Sequence, residues 1–575
     1  MQTTTEPTRT LHPVISRIFA KRGITHDKIE DFFSWNLRDL PNLLEMKDTL
    51  KTAERIVYAI KHNQKIGVYG DYDVDGSTSC ALFYQYFQML GVDIELFQPS
   101  RFVEGYGVHI SSIENALEKK VELLITVDCG ITNNETADYA LERNLDLIIT
   151  DHHKDIRDEM PNAYAVVNPN RRDEPADSPL TALAGVGVAF AVCLQVKNLL
   201  DAENKENGTS PTASIYPLLQ YVAIGTICDL AKLNTMNMKL TRHGLKQITE
   251  TEFAGIACFF NDEDRTAPFI PTEKISFYVG PLINSKGRLD HPEKALNLLI
   301  SKNHKEAFAN YAHLETSNKE RKFIQAEVYT EARNQIIKNL KSDSPLINIV
   351  HEPHWHEGVI GIVASKLVET FEVPAIVFSD SEEKGIIKAS CRSAGTLNLF
   401  DALKACEDLF IKFGGHKAAA GLSMSLENLP EFKKRMHNYL ADIPEIQRTV
   451  QDHYDIDISF KEIKKQLVKE LESMEPFGMG NQRPVFRISD SLIDSYQILK
   501  DVHVKWTFVH KDNPKIKITG ISFNFIGKWD TPTPDELFKS QHSEGLTVQF
   551  QIGINRFRGN EVIQLMVNKA FLGSC

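Results

Sequence analysis

The sequence predicts an α/β protein: a parallel-sheet domain, a smaller α/β unit joined to it by a long helix, and a small C-terminal β-barrel. Three observations predict this. Strand-like apolar runs alternate with helical segments at short spacing from residue 65 to 153, the pattern of βαβ units and a parallel sheet. From Glu293 to Ser344 there is neither Gly nor Pro to stop a helix. Past residue 450 the apolar period becomes two, with Gly and Asn turns, as in a small barrel.

Each element follows in order. Residues 1–60 read as a helical segment, with helical periodicity in KTAERIVYAIKHN. Strand KIGVYGD ends in an acidic turn and is followed by helix SCALFYQYFQML, closed by Gly91. Strand VDIELFQ, loop PSRFVEGYGV, helix SSIENALEKK, strand VELLITVDCG, helix NETADYALERN and strand LDLIITDHH complete the series. The runs VELLITV and LDLIIT are apolar enough to be buried on both faces. A polar insert, AENKENGTSPTAS, reads as a surface loop. The stretch KEAFANYAHLETSNKERKFIQAEVYTEARNQIIKNL is one or two helices; if continuous, its ~36 residues span about 54 Å, and its charged face is solvated. A second α/β unit runs from Pro345 to Pro444, with strand LINIV, helix GIVASKLVETF, strand PAIVFSD and the glycine-rich FGGHKAAAG. In VHVKWTFVH, residues Val502, Val504, Trp506 and Phe508 share one face; LTVQFQIGI and EVIQLMV repeat the alternation. The expected domains are thus 1–60, 61–300, a connecting helix over 301–344, 345–445 and 450–575.

Length and composition agree. The chain has 575 residues, a soft prior of about four domains. With 42% hydrophobic and 25% charged residues it is not a disordered chain, a collagen-like fibre or a disulfide scaffold. No run approaches the ~18 apolar residues of a membrane span, and the N-terminus lacks the basic and apolar regions of a secretory signal. A net charge of −12 removes a global basic footprint for nucleic acid but leaves room for a local groove. The eight cysteines form no CxxC pair; Cys80, Cys129, Cys228 and Cys391 sit among apolar or small residues and read as buried free thiols of a reducing cytosol.

The chemistry is concentrated where strands end. In GDYDVDGSTS, Asp71, Asp73 and Asp75 alternate just after a strand, so an extended segment points all three one way. Three carboxylates on one side repel unless a cation neutralises them. The alternatives are a plain acidic loop and a calcium loop. The latter needs a Glu at its twelfth position, where this chain has Leu82. Asp128 follows a second strand, and Asp151, His152 and His153 follow a third. An Asp alone is often a helix cap, and a His pair alone is weak. Together they converge on the C-terminal edge of a parallel sheet, where such folds bind ligands. Asp229 closes another apolar run, AIGTICD. Aspartate oxygens with imidazole and no thiolate suit Mn²⁺ or Mg²⁺ better than structural Zn²⁺. Two such ions about 3.5–4 Å apart are a standard device for phosphoester hydrolysis.

In order, DYDVDG, VDCG, DHH and a later isolated Asp resemble the DHH phosphoesterase superfamily. PSRFVEGYGV, GPLINSKGRLD, WHEGVIGIVASKL, ASCRSAG and FGGHKAAAGLS narrow the resemblance to its bacterial single-strand-specific DNA exonucleases, from about residue 45 to the C-terminus. The resemblance implies a DHH domain, a DHHA1 domain and an OB-fold. It implies a ring-like body with a narrow hole that excludes duplex, and 5′→3′ release of 5′-mononucleotides in recombination and repair. Asp73, Asp75, Asp128, His152 and Asp229 would hold two Mn²⁺ or Mg²⁺ ions, with Asp71 beside them as ligand or support. His153 would orient the scissile phosphate or assist a proton transfer. Arg101 and Tyr106 would grip the strand, Arg288 would neutralise phosphate charge, and Ser390, Arg392 and His416 would bind phosphate in the second unit. The implied partners are single-stranded DNA, a single-strand-binding protein and a helicase. The implied state is a cytoplasmic monomer away from membranes. The competing reading is a DHH phosphodiesterase for oligoribonucleotides or cyclic dinucleotides, which usually lacks the barrel. A non-catalytic relative would have lost acidic ligands, and this chain has the full set.

Some residues read in two ways. FGGHKAAAG either brings backbone N–H groups close to an oxyanion or makes a tight turn before a helix. His351, His354 and His356 form a local cluster that reads either as a second metal site or, as the resemblance implies, as part of the fold and substrate surface, with Trp355 packing. In the barrel, Lys505, Trp506, Lys515, Lys517, Arg556, Phe557 and Arg558 interleave charge and aromatics, which suits phosphates on cations and bases on rings, or else aromatics in a barrel core with charged residues facing water. Trp506 and Phe508 belong to the core; Phe557 is the better stacking candidate.

Overall fold

The computed structural model describes residues 11–99, 105, 107–156, 159–285, 293–339, 345–527, 531–557 and 560–573. The chain forms two compact units: residues 26–319 with 473–483, and residues 1–25, 320–472 and 484–575.

The first unit is built on a five-stranded parallel sheet of β1 (Ile66–Gly70), β2 (Ile94–Phe97), β3 (Leu123–Val127), β4 (Asp146–Thr150) and β5 (Ala165–Val167), in the order β2-β1-β3-β4-β5. All residues of β1 and β3 are buried, as their unbroken apolar runs require. Helices cover both faces, so one core lies under the Val74–Met89, Gly185–Glu206 and Leu219–Cys228 helices and another under Ile110–Glu118 and Asn134–Glu142. The order reverses around β1, and β1, β3 and β4 end side by side. That edge is the crevice where open α/β sheets place ligands.

One expectation changes here, that the polar insert is all loop. The Gly185–Glu206 helix is long and apolar enough to cross a membrane by length and composition. Its residues from Gly185 to Cys193 are all buried, as in a core helix. The same helix takes in Ala202–Glu206, so only the part of the polar insert after it is loop. Leu and Val early in the helix and Lys and Glu late explain both: the front packs in the core and the end protrudes.

The gap between Glu293 and Ser344 resolves into a short helix, Glu293–Leu299, and one continuous 36-residue helix, His304–Asn339. The second unit holds β6 (Asn348–His351), β7 (Ala375–Asp380), β8 (Ile386–Arg392), β9 (Phe410–Gly415) and β10 (Ala419–Ser425), in the order β6-β7-β8-β10-β9. Only β6 and β7 pair in parallel. FGGHKAAAG is therefore neither a helix lead-in nor a loop under a helix N-terminus; it is the turn of the β9–β10 hairpin, closed by His416 N–H donating to Ala419 O at 2.8 Å.

The C-terminal sheet has seven strands: β11 (Ile456–Asp457), β12 (Phe486–Ile488), β13 (Ser491–Leu499), β14 (His503–His510), β15 (Asn513–Ser522), β16 (Leu546–Phe557) and β17 (Asn560–Leu572), ordered β11-β12-β16-β17-β15-β14-β13. Val504, Trp506 and Phe508 point into its core, with Trp506 stacked on Phe508 at 6.0 Å. Val502 precedes the strand and is exposed, so it leaves the face the alternation gave it.

Among the described residues seven cysteines are free. Cys80, Cys129 and Cys391 are buried; Cys228, at a helix end, is half-buried.

Candidate metal centre

Gly70 ends β1 and the chain turns at Asp71 directly into the Val74–Met89 helix. Asp73 caps that helix, its Oδ1 accepting from Gly76 N–H at 3.0 Å. The three aspartates are therefore not on an extended strand. Asp71 lies in the turn, Asp73 is the cap and Asp75 is in the first helical turn, because a capping Asp three residues before a Gly starts a helix there. Gly76 is required: a Cβ would stand 2.3 Å from Asp71 O.

Asp75 is fully buried, and its two carboxylate oxygens accept from Gly185 N–H at 2.6 Å and Val186 N–H at 3.0 Å. Those donors open the Gly185–Glu206 helix, so its positive end faces the carboxylate. Asp128 follows β3 in the left-handed region (φ 60°), which Asp tolerates at lower strain than most residues. Its N–H donates to Thr150 O at 3.0 Å, tying it to β4.

His152 gathers the cluster. Its Nε2 lies 3.1 Å from Asp128 Oδ1, 3.8 Å from Asp75 Oδ2 and 3.9 Å from Asp229 Oδ2. His153 Nδ1 is 3.8 Å from Asp128 Oδ1 and 2.8 Å from Asp151 Oδ1. Ligand atoms fall into three groups, each within 4.8 Å: Asp71, Asp73 and Asp128; Asp75, His152 and Asp229; and Asp128, His152 and His153. The shared members make one continuous donor set for hard divalent ions.

The electrostatics match an acidic cluster awaiting positive charge. Burial, the Asp229 charge and the Asp73 charge push Asp75 up to about 7, against the pull of His152. Burial and Asp73 lift Asp229 to about 7 as well. Asp128 is raised by burial and then by Asp75, Asp73 and Asp71. Burial lowers His152 and keeps it toward the neutral, ligating form. His153 differs: burial opposes its charge, but the Asp151 hydrogen bond and charge carry it up to about 9. Asp128 Oδ1 and His152 Nε2 are buried without a hydrogen bond in ordinary geometry, as atoms reserved for a cation would be.

Three residues outside the expected ligand set support the cluster. Asp151 is fully buried; its carboxylate accepts from Ile131, His152 and His153 N–H groups and holds the His153 ring. Asn168, also fully buried, donates from Nδ2 to His153 O at 2.9 Å, and Asn170 Nδ2 donates to His152 O at 2.7 Å. The sequence signal was AVVNPN, an apolar run ending in a turn at the same sheet edge as the acids.

In the second unit, Ser390 and Arg392 lie on one face of β8. Arg392 Nη1 donates to Ser390 Oγ at 2.9 Å and Nε to Ser365 Oγ at 3.2 Å. Gly361 lets the Glu357–Phe371 helix approach; a Cβ there would be 3.0 Å from Ser390 Oγ and 3.1 Å from Arg392 Nη2. His416 is exposed on the hairpin whose Ala419 pairs with Arg392. The three nearby histidines go separate ways: His351 to Asp380 and His354 to Glu331, each at 2.9 Å, and His356 caps its helix at Gly358 N–H. Trp355 is buried and donates to Glu331 at 2.8 Å. Arg101, Tyr106 and Arg288, and in the barrel Arg558 with the side chains of Arg556 and Phe557, lie outside the described residues.

The chain as a whole is similar to known proteins. Residues 65–226 match the DHH family, N-terminal domain; 343–442 match the DHHA1 domain; 454–569 match the RecJ OB domain. A Bacillus subtilis protein named single-stranded-DNA-specific exonuclease RecJ is 31% identical over 570 residues, 98% of this chain and 69% of that one. The crystal structure of RecJ in complex with Mn²⁺ from Thermus thermophilus superposes with a TM-score of 0.78 at 24% identity, over 98% of this chain and 76% of that one. The structure of an exonuclease RecJ bound to manganese has a TM-score of 0.58 at 31% identity, over 70% of this chain and 97% of that one. With a DHH domain at 65–226, a RecJ OB domain at 454–569 and 31% identity to a RecJ exonuclease over 98% of its length, the chain belongs to the RecJ family of single-stranded-DNA-specific exonucleases.

Proposed function

We propose that this protein is a metal-dependent exonuclease that hydrolyses single-stranded DNA from the 5′ end and releases 5′-mononucleotides in recombination and repair. The observation that carries the reading is the Asp75–Asp128–His152–Asp229 cluster, its Asp75 and Asp128 buried, at the sheet edge of a chain with a RecJ OB domain. That barrel also sets the reading apart from a phosphodiesterase of oligoribonucleotides or cyclic dinucleotides.

Asp73, Asp75, Asp128, His152 and Asp229 would hold two Mn²⁺ or Mg²⁺ ions, with Asp71 beside them. When bound, the ions supply a hydroxide nucleophile at neutral pH and neutralise charge on the phosphate. The chain's own groups do the rest. The Gly185 and Val186 N–H donors fix Asp75, so its oxygens cannot turn away from the cluster. Asp151 fixes the ring of His153 by its Nδ1, leaving Nε2 to contact a phosphate oxygen. Asp151, accepting from Nδ1–H, favours the imidazolium, so that the Nε2–H of His153 can donate a charge-assisted hydrogen bond to that oxygen. In the second unit, Arg392 with Ser390 offers a cation and a hydroxyl to a terminal phosphate, with His416 on the adjoining turn. Arg101, Tyr106 and Arg288 keep the strand-gripping and charge-neutralising roles that the family resemblance gives them.

Single-stranded DNA is the substrate; a single-strand-binding protein and a helicase are the proposed partners of a cytoplasmic monomer. The free cysteines support a reducing compartment. The test is digestion of end-labelled single-stranded and duplex DNA with Mn²⁺. Mononucleotide release from the 5′ end of single strands alone is expected. Degradation of duplex at equal rate, or release from the 3′ end, overturns the reading.

A further inference from the structure

Asp229 is held differently from its neighbours. Asp75 is fixed by two backbone N–H groups, whereas no hydrogen bond is recorded to the Asp229 carboxylate among the described residues. It is also more open, with a side chain 22% exposed against 2% for Asp128. Its position must therefore come from the backbone. Asp229 ends the Leu219–Cys228 helix, its N–H on Gly225 O at 2.8 Å. The next residue, Leu230, is left-handed (φ 59°) and 63% exposed, so the turn swings out into solvent. Something must hold the far end of that turn.

The far end is held by a remote stretch of chain. Leu233 N–H donates to Met479 O at 2.7 Å. Residues 473–483 belong to the catalytic unit although the chain on either side of them belongs to the other. This strap lies flat on the turn: a Cβ on Gly478 would stand 2.9 Å from Leu233 Cδ1, and one on Gly480 2.9 Å from Lys232 Cγ. Asn481, 3% exposed, gives the strap its shape. Its Nδ2 donates to Met474 O at 2.9 Å and Pro476 O at 2.8 Å, and its main chain exchanges two hydrogen bonds with Gly478. Buried Arg242 anchors the strap, Nε donating to Glu475 O at 2.7 Å. A main-chain carbonyl aimed by so many contacts at one N–H of a ligand-bearing turn is built as a support.

We infer that the 473–483 strap, shaped by Asn481, is a positioning element for the metal site: it fixes the Asp229 turn so that the Asp229 carboxylate stays at ligand distance. The inference rests on the reading of Asp229 as a metal ligand. Supporting contacts of this kind typically change metal affinity by about 10–100-fold when lost.

The test uses full-length Asn481→Ala, Gly480→Ala and Asp229→Asn. Mn²⁺ binding to the DNA-free protein is measured by calorimetry, beside the Mn²⁺ dependence of the nuclease, KM for a single strand and Tm. Asn481→Ala is expected to weaken one Mn²⁺ binding step about 10-fold. The half-saturating Mn²⁺ for turnover should move by the same factor, with KM for DNA within about twofold and rate recovered at high Mn²⁺. Gly480→Ala, strained at φ 81° and pressed on Lys232, should do the same and stands in if Asn481→Ala does not fold. Unchanged Mn²⁺ affinity in the folded strap variants overturns the inference, even if Tm falls, provided Asp229→Asn loses Mn²⁺. Wild-type Mn²⁺ binding in Asp229→Asn instead overturns the ligand reading on which it stands.

Discussion

The metal centre and the Arg392 cluster are both polar sites at the end of a sheet, yet they are built on opposite logic. The first forces Asp75, Asp128 and Asp229 together under burial and leaves their carboxyls raised. The second places one guanidinium against two serine hydroxyls, half-buried and already hydrogen-bonded. The first is strained until cations arrive, so ligand and stability are linked there. The second is satisfied beforehand and can take a phosphate by sharing donors. One site should govern turnover and stability, the other the choice of substrate end.

Breaking the metal centre should have the largest effect. Asp75→Asn and Asp128→Asn keep shape and remove charge; Asn also tolerates the left-handed backbone at 128. We expect at least about a thousandfold loss of turnover, roughly 4 kcal/mol of transition-state stabilisation. Single-strand affinity, measured by fluorescence anisotropy, should change little. Near-wild-type nuclease activity in both variants would remove the contrast between the two sites.

The pH dependence sharpens the same contrast. Asp75 and Asp229 bind protons more tightly folded, at about 7, than unfolded, near the ordinary 3.8. Without metal, the folded state therefore loses stability as pH rises from about 4 through 7. His153 adds in the same direction: its contribution is complete below about 6.5 and is lost as pH climbs through about 9. Metal-free Tm should fall by about 5 °C between pH 5.5 and 8.5, and Mn²⁺ should restore more of it at pH 8.5 than at pH 6. A flat metal-free profile by scanning calorimetry contradicts the strained-site account.

How much of this was legible in the sequence depends on whether the signal was local. The βαβ alternation, the buried runs of β3 and β4 and the acids at strand ends are written in neighbouring residues, and the sheet edge converges as the pattern implied. The Asp71–Asp73–Asp75 geometry was misread because alternation in sequence resembles a strand, whereas a capping Asp before Gly76 turns the chain into a helix. The β9–β10 hairpin was hidden because two glycines suit either a hairpin or a helix lead-in. Asn168 and Asn170 were missed although they follow a strand, since they carry no charge to draw notice. The Met479 contact to Leu233 could not be read at all: it joins residues far apart in sequence through main-chain atoms that no residue type encodes.

At the second site the effect should be smaller and selective. A terminal 5′ phosphate carries more charge and more acceptor oxygens than an internal diester. Arg392→Ala should reduce the preference for a 5′-phosphorylated over a 5′-hydroxyl strand by about tenfold, the worth of one charge-assisted contact. Equal loss on both substrates would place Arg392 on an internal phosphate and move end recognition elsewhere.

The smallest expected effect lies on the barrel, where exposed lysines differ in how free their charge is. Lys505 on β14 points outward between buried Val504 and Trp506. Lys517 on β15 is also exposed, but its ammonium sits 2.7 Å from Asp494 on β13. No such carboxylate is recorded for Lys505 or for Lys515 among the described residues. A lysine already paired must give up that partner to meet a phosphate, and an exposed pair is worth only about 0–1 kcal/mol. Its net gain on binding DNA is smaller, and so is the number of counterions it displaces. Lys505→Ala and Lys515→Ala should each make the slope of log affinity against log salt shallower by about 0.7, the single-strand value per phosphate contact. Lys517→Ala should change it by less, and turnover of a very short oligonucleotide should be untouched in all three. A larger slope change for Lys517 than for Lys505 would mean that the strand follows the Asp494 side of the sheet and breaks the ion pair on the way.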